Sequence, residues 1–379
     1  MICIYCLQEK GSEDQCPYCG NKDSDYHVEK YHLPPRTILQ NRFEIGRVLG
    51  EGGFSITYLC LDRTAGRPVA IKELYIHKVV TRENSLSVRL MDEKKYGNYF
   101  LGCRKMFIQE AETLRILQDK SGIVNIYGYF EQNNTVYLVM EYLDGMDLKT
   151  YLEKYEGSIT YREAFETLRP VMRSLRELNR KGIIHRDIAP DNIHRLSNGK
   201  MKLMDFGSAK NLAMDDGQVI LTVKEGYAPY EQYVRNYQVG AWMDVYAMAA
   251  TYYRCITGVV PQRSPDRMQK DLVVWPREMG IPIPEELEEV LKKGMALSVQ
   301  DRYKSMQEFY DAMKQAFGIK NILRDPPSPG GSKEKEVLEI RDMVKSINET
   351  RRDQHGFLVG LFAIFFIVLV VGLCALLMP

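Results

Sequence analysis

Lys72, Glu110, Asp187, Asn192 and Asp205 are the side chains whose types and settings are suited to chemistry. Lys72 lies in the apolar run VAIKE, where an ammonium is costly unless a carboxylate answers it. Glu110, in the helical pattern FIQEAETL, is available as that partner. HRDIAPDN spans 185–192 and puts Asn192 five residues after Asp187, and Asp205-Phe206-Gly207 follows the strand-like MKLM. Gly50, Gly52 and Gly53 in LGEGGFSITY lie ahead of Lys72, between two strand patterns. A glycine hairpin there can lay backbone N–H groups over phosphate oxygens. Each residue also has a plain reading: Lys72 with Glu110 as a surface ion pair, Asp205 in a turn, His185 as a packed core histidine. Their weight comes from occurring together and in this order.

A second chemical cluster opens the chain. CIYCLQEKGSEDQCPYCG spaces Cys3 from Cys6, and Cys16 from Cys19, by two residues. Two such pairs on tight turns bring four thiolates to the corners of a tetrahedron, a geometry that suits Zn²⁺. A segment this short has no room for a core, so metal would supply its folding energy. Cys60, Cys103, Cys255 and Cys374 are scattered without spacing logic, which reads as a reducing compartment rather than a disulfide framework. The knuckle carries one lysine against three acidic residues, so it is not expected to contact nucleic acid. The whole chain agrees, because 51 Lys and Arg balance 50 Asp and Glu and leave no field to attract a polyanion.

The elements that must hold these residues follow from periodicity. After Pro34 and Pro35, alternating runs FEIGRVLG, SITYLCLD, PVAIKEL and VYLVMEY predict strands, with one helix at MFIQEAETLRILQ. From Leu148 to Phe317 the pattern turns mostly helical. The expected organisation is a knuckle over 1–22, a linker over 23–41, a sheet lobe over 42–143 and a helical lobe over 144–317: an α+β fold in two lobes. PPSPGGS then begins a linker, and Val337, Ile340, Val344 and Ile347 suggest an amphipathic helix within 318–355. Phe357 to Met378 is free of charge for 22 residues, about 33 Å as a helix, enough to cross a bilayer. Arg351 and Arg352 stand before it, and only Pro379 follows. A single C-terminal anchor in the cell membrane is expected, with everything N-terminal in the cytoplasm and no domain beyond the bilayer. MICIYC lacks a basic region and an apolar core, so no signal peptide is expected.

With these residues in this order, 42–317 resembles the protein kinase family, and GEGGFSITY and YAPYEQY resemble a bacterial Ser/Thr-type branch. The resemblance implies a two-lobed fold with a small antiparallel sheet, and the cofactors ATP and Mg²⁺. It makes Lys72 the holder of the α- and β-phosphates, oriented by Glu110, and Asp187 the acceptor of the substrate hydroxyl proton. Asn192 and Asp205 would ligate Mg²⁺. Gly50, Glu51, Gly52, Gly53 and Phe54 would form the lid. Ala70, Met140 as gatekeeper, the hinge from Glu141 to Leu143, Asp147 at the ribose and His194 would line the nucleotide site. Leu114, Ile126, His185 and Phe206 match an apolar column linking the lobes, with Asp244 at its base. Glu231 is expected to pair with Arg302.

The chain departs from that family pattern in places. Ser55 stands for the third glycine and Thr57 for the usual valine, and the Ala-Pro-Glu segment reads APYE. Between Lys72 and Glu110 lie 37 residues, so the region of TRENSLSVRLMDEKKYG is an insertion able to regulate the helix bearing Glu110. His194 replaces an aliphatic floor under adenine. Ala189 replaces a phosphate-touching lysine, and Lys224 falls where a threonine usually faces that lysine and Asp187; one expectation is that Lys224 supplies the missing cation, the other that it is a solvated loop residue. Arg186 would pair with a phosphate on the activation segment, at Thr222 before Ser208.

Two functions are therefore in view. One is a membrane-tethered kinase acting on Ser/Thr hydroxyls of proteins near the inner leaflet and on itself, as a homodimer if the 337–347 stripe pairs. The alternative is a nucleotide-binding pseudokinase serving as a membrane scaffold. The five intact polar residues favour the first, and Ala189 and His194 favour the second.

Overall fold

The computed structural model describes residues 1–318 except 84, 116–121, 156, 206–212, 216–217, 221–222 and 235–236, with side chains also excepted at 113–115, 155, 213–215 and 218–220. Phe206, Ser208, Thr222, the Leu114 side chain, the 337–347 stripe and the 357–378 span lie outside the described residues. Among the described residues no helix is long and apolar enough to cross a membrane.

The N-terminal lobe is one antiparallel sheet of β1 (Ile38–Leu39), β2 (Phe43–Gly52), β3 (Ser55–Asp62), β4 (Arg67–Leu74), β8 (Thr135–Glu141) and β7 (Ile126–Gln132), in that spatial order. β4 reads PVAIKEL because it is central: its last six residues are buried, so both faces must be clothed. Period-2 alternation then decides which face each residue serves. Lys72 pairs across to Thr57 and Leu138, and Ala70 to Leu59 and Met140, which sets these on one face. Glu73 points to the other, where it is wholly buried.

The insertion after β4 is docked. β5 (Val80–Thr81) and β6 (Arg89–Leu90) pair, and α1 (Glu93–Arg115) begins within the inserted sequence and carries Glu110 back to the sheet. Arg82 anchors it by an ion pair to Glu73, which also accepts from Tyr58 Oη at 3.0 Å and Tyr137 Oη at 2.7 Å. The stretch expected as a linker is docked as well. β1 extends the sheet, Leu33 N donates to Tyr58 Oη at 3.1 Å, and Arg82 donates to the Tyr31 carbonyl at 2.7 Å. A buried carboxylate gathers polar groups from every segment within reach, and that draws both stretches onto the sheet.

The second lobe contains α2 (Leu148–Tyr155), α3 (Tyr161–Arg180), α4 (Ala241–Thr257), α5 (Ser264–Gln269), α6 (Glu285–Gly294) and α7 (Met306–Ala316). A three-stranded sheet of β9 (Gly145–Asp147), β10 (Ile193–Leu196) and β11 (Met201–Leu203) lies at the junction, and β12 (Ala213–Asp215) pairs with β13 (Gln218–Ile220). Thr160 caps α3 by accepting from Glu163 N, and α4 is buried along most of its length. Arg302, with a fully buried side chain, meets Glu231 at 2.6 Å, as expected, and closes the base of the lobe.

Candidate active site

The cleft residues converge. Lys72 Nζ lies 2.7 Å from Asp205 Oδ1, across 133 residues of sequence. Burial opposes the ammonium charge, but Asp205, then Glu110 and Asp187, hold its pKa above the ordinary 10.5. Glu110 is 5 % exposed, so β4 and α1 bring both members of the expected pair into the interior. Asn192 Nδ2 donates to the Asp187 carbonyl at 2.6 Å, and Met204 N donates to the Asn192 carbonyl at 2.9 Å. The amide oxygen of Asn192 and the carboxylate of Asp205 are oxygen donors of the kind Mg²⁺ takes.

Beside the cleft, Arg186 at φ 65° and Asp205 at φ 52° are left-handed without being glycine. Such turns need an anchor. Asp244, fully buried, accepts from His185 N at 3.0 Å, Arg186 N at 2.9 Å and Asn179 Nδ2 at 3.1 Å. Burial pushes its pKa up to about 6 against these three donors. His185 Nδ1 accepts from Asp187 N at 3.2 Å, which leaves its Nε2–H to donate to the Met204 carbonyl at 3.2 Å. One imidazole thereby ties the loop bearing Asp187 to the strand end bearing Asp205.

The nucleotide side fits ATP on two observations. Among the described residues a Cβ built on Gly50, Gly52 or Gly53 meets no atom within 4 Å, so these glycines meet no packing need there and leave the hairpin clear for phosphates. His194 sits in β10 opposite Asp147, with a buried Nε2 that has no hydrogen-bond partner among the described residues. Burial lowers its pKa, while Asp147 and the carbonyls of Leu143 and Gly145 pull the other way, so the ring is neutral at pH 7. Met140 and Ala70 are paired neighbours, both buried.

Several expected residues have further engagements. Asp147 gives both carboxylate oxygens to Thr150, at 2.8 and 2.7 Å, capping α2. Glu51 is held by His32 Nε2 at 2.8 Å and by Tyr31 Oη at 3.2 Å; chiefly the His32 hydrogen bond draws its pKa down. The Gly53 and Phe54 carbonyls accept from His77 N and Tyr75 N. Ala189 is fully buried, and Lys224 reaches the same loop but forms its ion pair with Asp191, two residues on, rather than with Asp187. The sequence reading missed Lys202, which pairs with hinge residue Glu141 and joins the lobes there. A buried lysine in the strand pattern MKLM was the available signal.

At the N-terminus the four thiols do gather. All four Sγ atoms lie within 4.8 Å of one another, with Cys3 to Cys19 and Cys6 to Cys16 at 3.7 Å. Zn–S bonds of about 2.3 Å in a tetrahedron set sulfurs about 3.8 Å apart, so the donor set fits Zn²⁺.

Residues 43–316 match the protein kinase domain. The chain is 28% identical to Serine/threonine-protein kinase B of Synechocystis sp. over 311 residues, covering 79% of this chain and 51% of that protein. It is 31% identical to serine/threonine-protein kinase PknB of Mycolicibacterium smegmatis, over 71% of this chain and 42% of the relative. The chain thus spans about half or less of the length of these relatives. Among solved structures, the PpkA-294 apo form superposes with a TM-score of 0.66 at 29% identity, covering 75% of this chain and 99% of that one. The PknI kinase domain of Mycobacterium tuberculosis shares the fold at 21% identity and a TM-score of 0.55, over 75% of this chain and all of that one. With most of its length matched and the lysine, asparagine and two aspartates assembled in one cleft, the chain belongs to the protein kinase family.

Proposed function

We propose that the protein is an ATP- and Mg²⁺-dependent serine/threonine protein kinase. The observation that carries this reading is the convergence of Lys72, Asp205, Asp187 and Asn192 in one cleft, with Lys72 held charged. Bound Mg·ATP supplies the phosphoryl group to be transferred. Asn192 and Asp205 would hold the metal, and Lys72, backed by Glu110, would hold the phosphates. Asp187 accepts the proton of a serine or threonine hydroxyl, its carbonyl fixed by Asn192 and its N–H by His185. Glycines of the β2–β3 hairpin leave room for the phosphates, and the neutral His194 ring stands opposite Asp147. In the same reading Lys224 places a cation beside the loop that carries alanine at 189, compensating charge that spreads during transfer. If so, Lys224→Ala slows turnover and Lys224→Arg restores part of it; identical turnover in all three proteins removes Lys224 from the mechanism.

The remaining parts of the reading are the zinc, the membrane and the partners. Cys3, Cys6, Cys16 and Cys19 would hold a structural Zn²⁺, and residues 357–378 would anchor the chain with the kinase lobes in the cytoplasm. Protein substrates near the inner leaflet follow, the chain itself among them, with a homodimer as the arrangement for mutual phosphorylation. The deciding experiment is transfer from labelled ATP with Mg²⁺ by the full chain beside Asp187→Asn. Label on protein that falls by a factor of about 10² to 10⁴ in the variant supports the kinase. Tight nucleotide binding without transfer turns the assignment to a pseudokinase scaffold.

A further inference from the structure

The cysteine knuckle does not hang from the kinase lobe. Ile2 and Leu7, which flank the first cysteine pair, are buried with Leu59, and Leu49, Leu61 and Tyr142 pack against this cluster. Leu59 pairs with Ala70, two residues from Lys72 in the same strand, so it belongs to the sheet face that roofs the nucleotide cleft. Leu49 directly precedes Gly50 of the hairpin and also packs against the main core. Tyr142 is the middle residue of the hinge. The knuckle therefore rests on the roof, the lid and the hinge of one pocket.

The fit is close. A Cβ at Gly46 of β2 would meet the Ile4 carbonyl at 2.6 Å and Leu7 Cδ2 at 2.9 Å, so glycine at this position admits the knuckle. Val48 N donates to Tyr26 Oη at 2.8 Å, and Arg36 donates to the Ile2 carbonyl at 3.3 Å and to Asp23. Lys10, with a 1 % exposed side chain, reaches Asp23 at 3.0 Å and the carbonyls of Glu13 and Asp14, locking the second cysteine turn to the first. Ile2 and Leu7 lie one residue from Cys3 and Cys6, so whatever holds the sulfurs together holds these two side chains in place.

We infer that the metal state of the knuckle sets the affinity of the kinase cleft for nucleotide: Ile2 and Leu7 are positioning residues for Leu49 and Tyr142, and Cys3, Cys6, Cys16 and Cys19 control them. This rests on the zinc and nucleotide assignments made above. Linkage makes the coupling reciprocal, so bound nucleotide must raise the affinity of the knuckle for zinc by the same factor.

The test uses the full chain, with zinc content measured by mass spectrometry and binding of a non-hydrolysable ATP analogue with Mg²⁺ measured by calorimetry. Three altered proteins are compared with the zinc-loaded one: chelator-treated protein kept reduced, Cys16→Ser with Cys19→Ser, and Ile2→Ala with Leu7→Ala. The last retains all four ligands and one zinc, and it serves if zinc removal unfolds the lobe. Each is expected to bind the analogue about tenfold more weakly. The analogue is expected to shift the equilibrium distribution of zinc between the loaded protein and a colorimetric chelator toward the protein. Analogue affinity within twofold of the loaded protein in the Ile2/Leu7 variant, or a zinc–chelator equilibrium indifferent to the analogue, overturns the inference. Protein purified without zinc overturns it at the metal while leaving the kinase reading intact, and loaded protein that binds no analogue overturns both.

Discussion

Asp244 illustrates how much of the catalytic geometry rests on one side chain that touches no reactant. Its carboxylate holds the peptide N–H groups of His185 and Arg186 through a left-handed turn, and Asp187 is the next residue. Asp244→Asn replaces one acceptor oxygen by an amide that faces those N–H groups. Turnover should fall about 10- to 100-fold with little change in nucleotide affinity, because Lys72 and the hairpin are untouched. The pH dependence of stability is a second signature. The folded pKa of about 6 lies above the ordinary 3.8, so the protonated acid favours the fold at low pH and this contribution is lost as pH rises through 6. The variant cannot ionise at 244, so its deficit in urea unfolding should be largest near pH 4 and narrow by about 2–3 kcal/mol above pH 6. His194 has the opposite sign. Its folded pKa is depressed by burial, so its neutral ring contributes fully above about 6.5 and the contribution fades as pH falls below that. Between pH 7.5 and 5.5, wild-type protein should lose more stability than His194→Leu, and parallel curves would refute this.

Elements here are positioned by buried polar anchors as much as by apolar packing. Glu73, next to last in β4 and on the face opposite Lys72, is satisfied by Arg82, Tyr58 and Tyr137, whose strands and insertion it binds together. Burial is outweighed at Arg82 by the Glu73 charge, which raises the guanidinium pKa. Arg82→Met keeps volume and removes the partner, leaving a buried carboxylate with two phenols. A loss of about 3–5 kcal/mol in urea unfolding is expected. A loss below 1 kcal/mol would mean that the insertion is held by its apolar contacts alone. Gly46 poses the steric counterpart. Gly46→Val should cost about 1–3 kcal/mol, since the blocking atom is the Ile4 backbone and cannot turn aside. Removing residues 1–22 as well should relieve most of that cost, because the two nearest obstacles belong to the knuckle and only the Leu59 carbonyl, at 3.3 Å, remains.

At the scale of the molecule, deletion of 357–378 should move the protein from the membrane fraction to the soluble fraction, since those 22 uncharged residues are the span proposed to enter the bilayer. Sequence order alone determined the two-lobed plan and singled out Lys72, Glu110, Asp187, Asn192 and Asp205, because the motifs that carry them stand in the order and spacing of the protein kinase family. It also determined the metal-ready cysteines, whose two-residue spacing is a local property of a tight turn. The docking of 23–41 and of the insertion was not legible, because loops without period give no sign of the buried carboxylate that recruits them. Nor was the partner of Lys224: counting residues put it opposite Asp187, whereas the path of the chain delivers it to Asp191. The seat of the knuckle was the least legible of all. Gly46 reads as an unremarked strand residue until Ile4 and Leu7 are found against it. Spacing along a chain records which groups can act together, but contacts between distant segments depend on which faces remain uncovered once each is folded, and only the tertiary structure decided those.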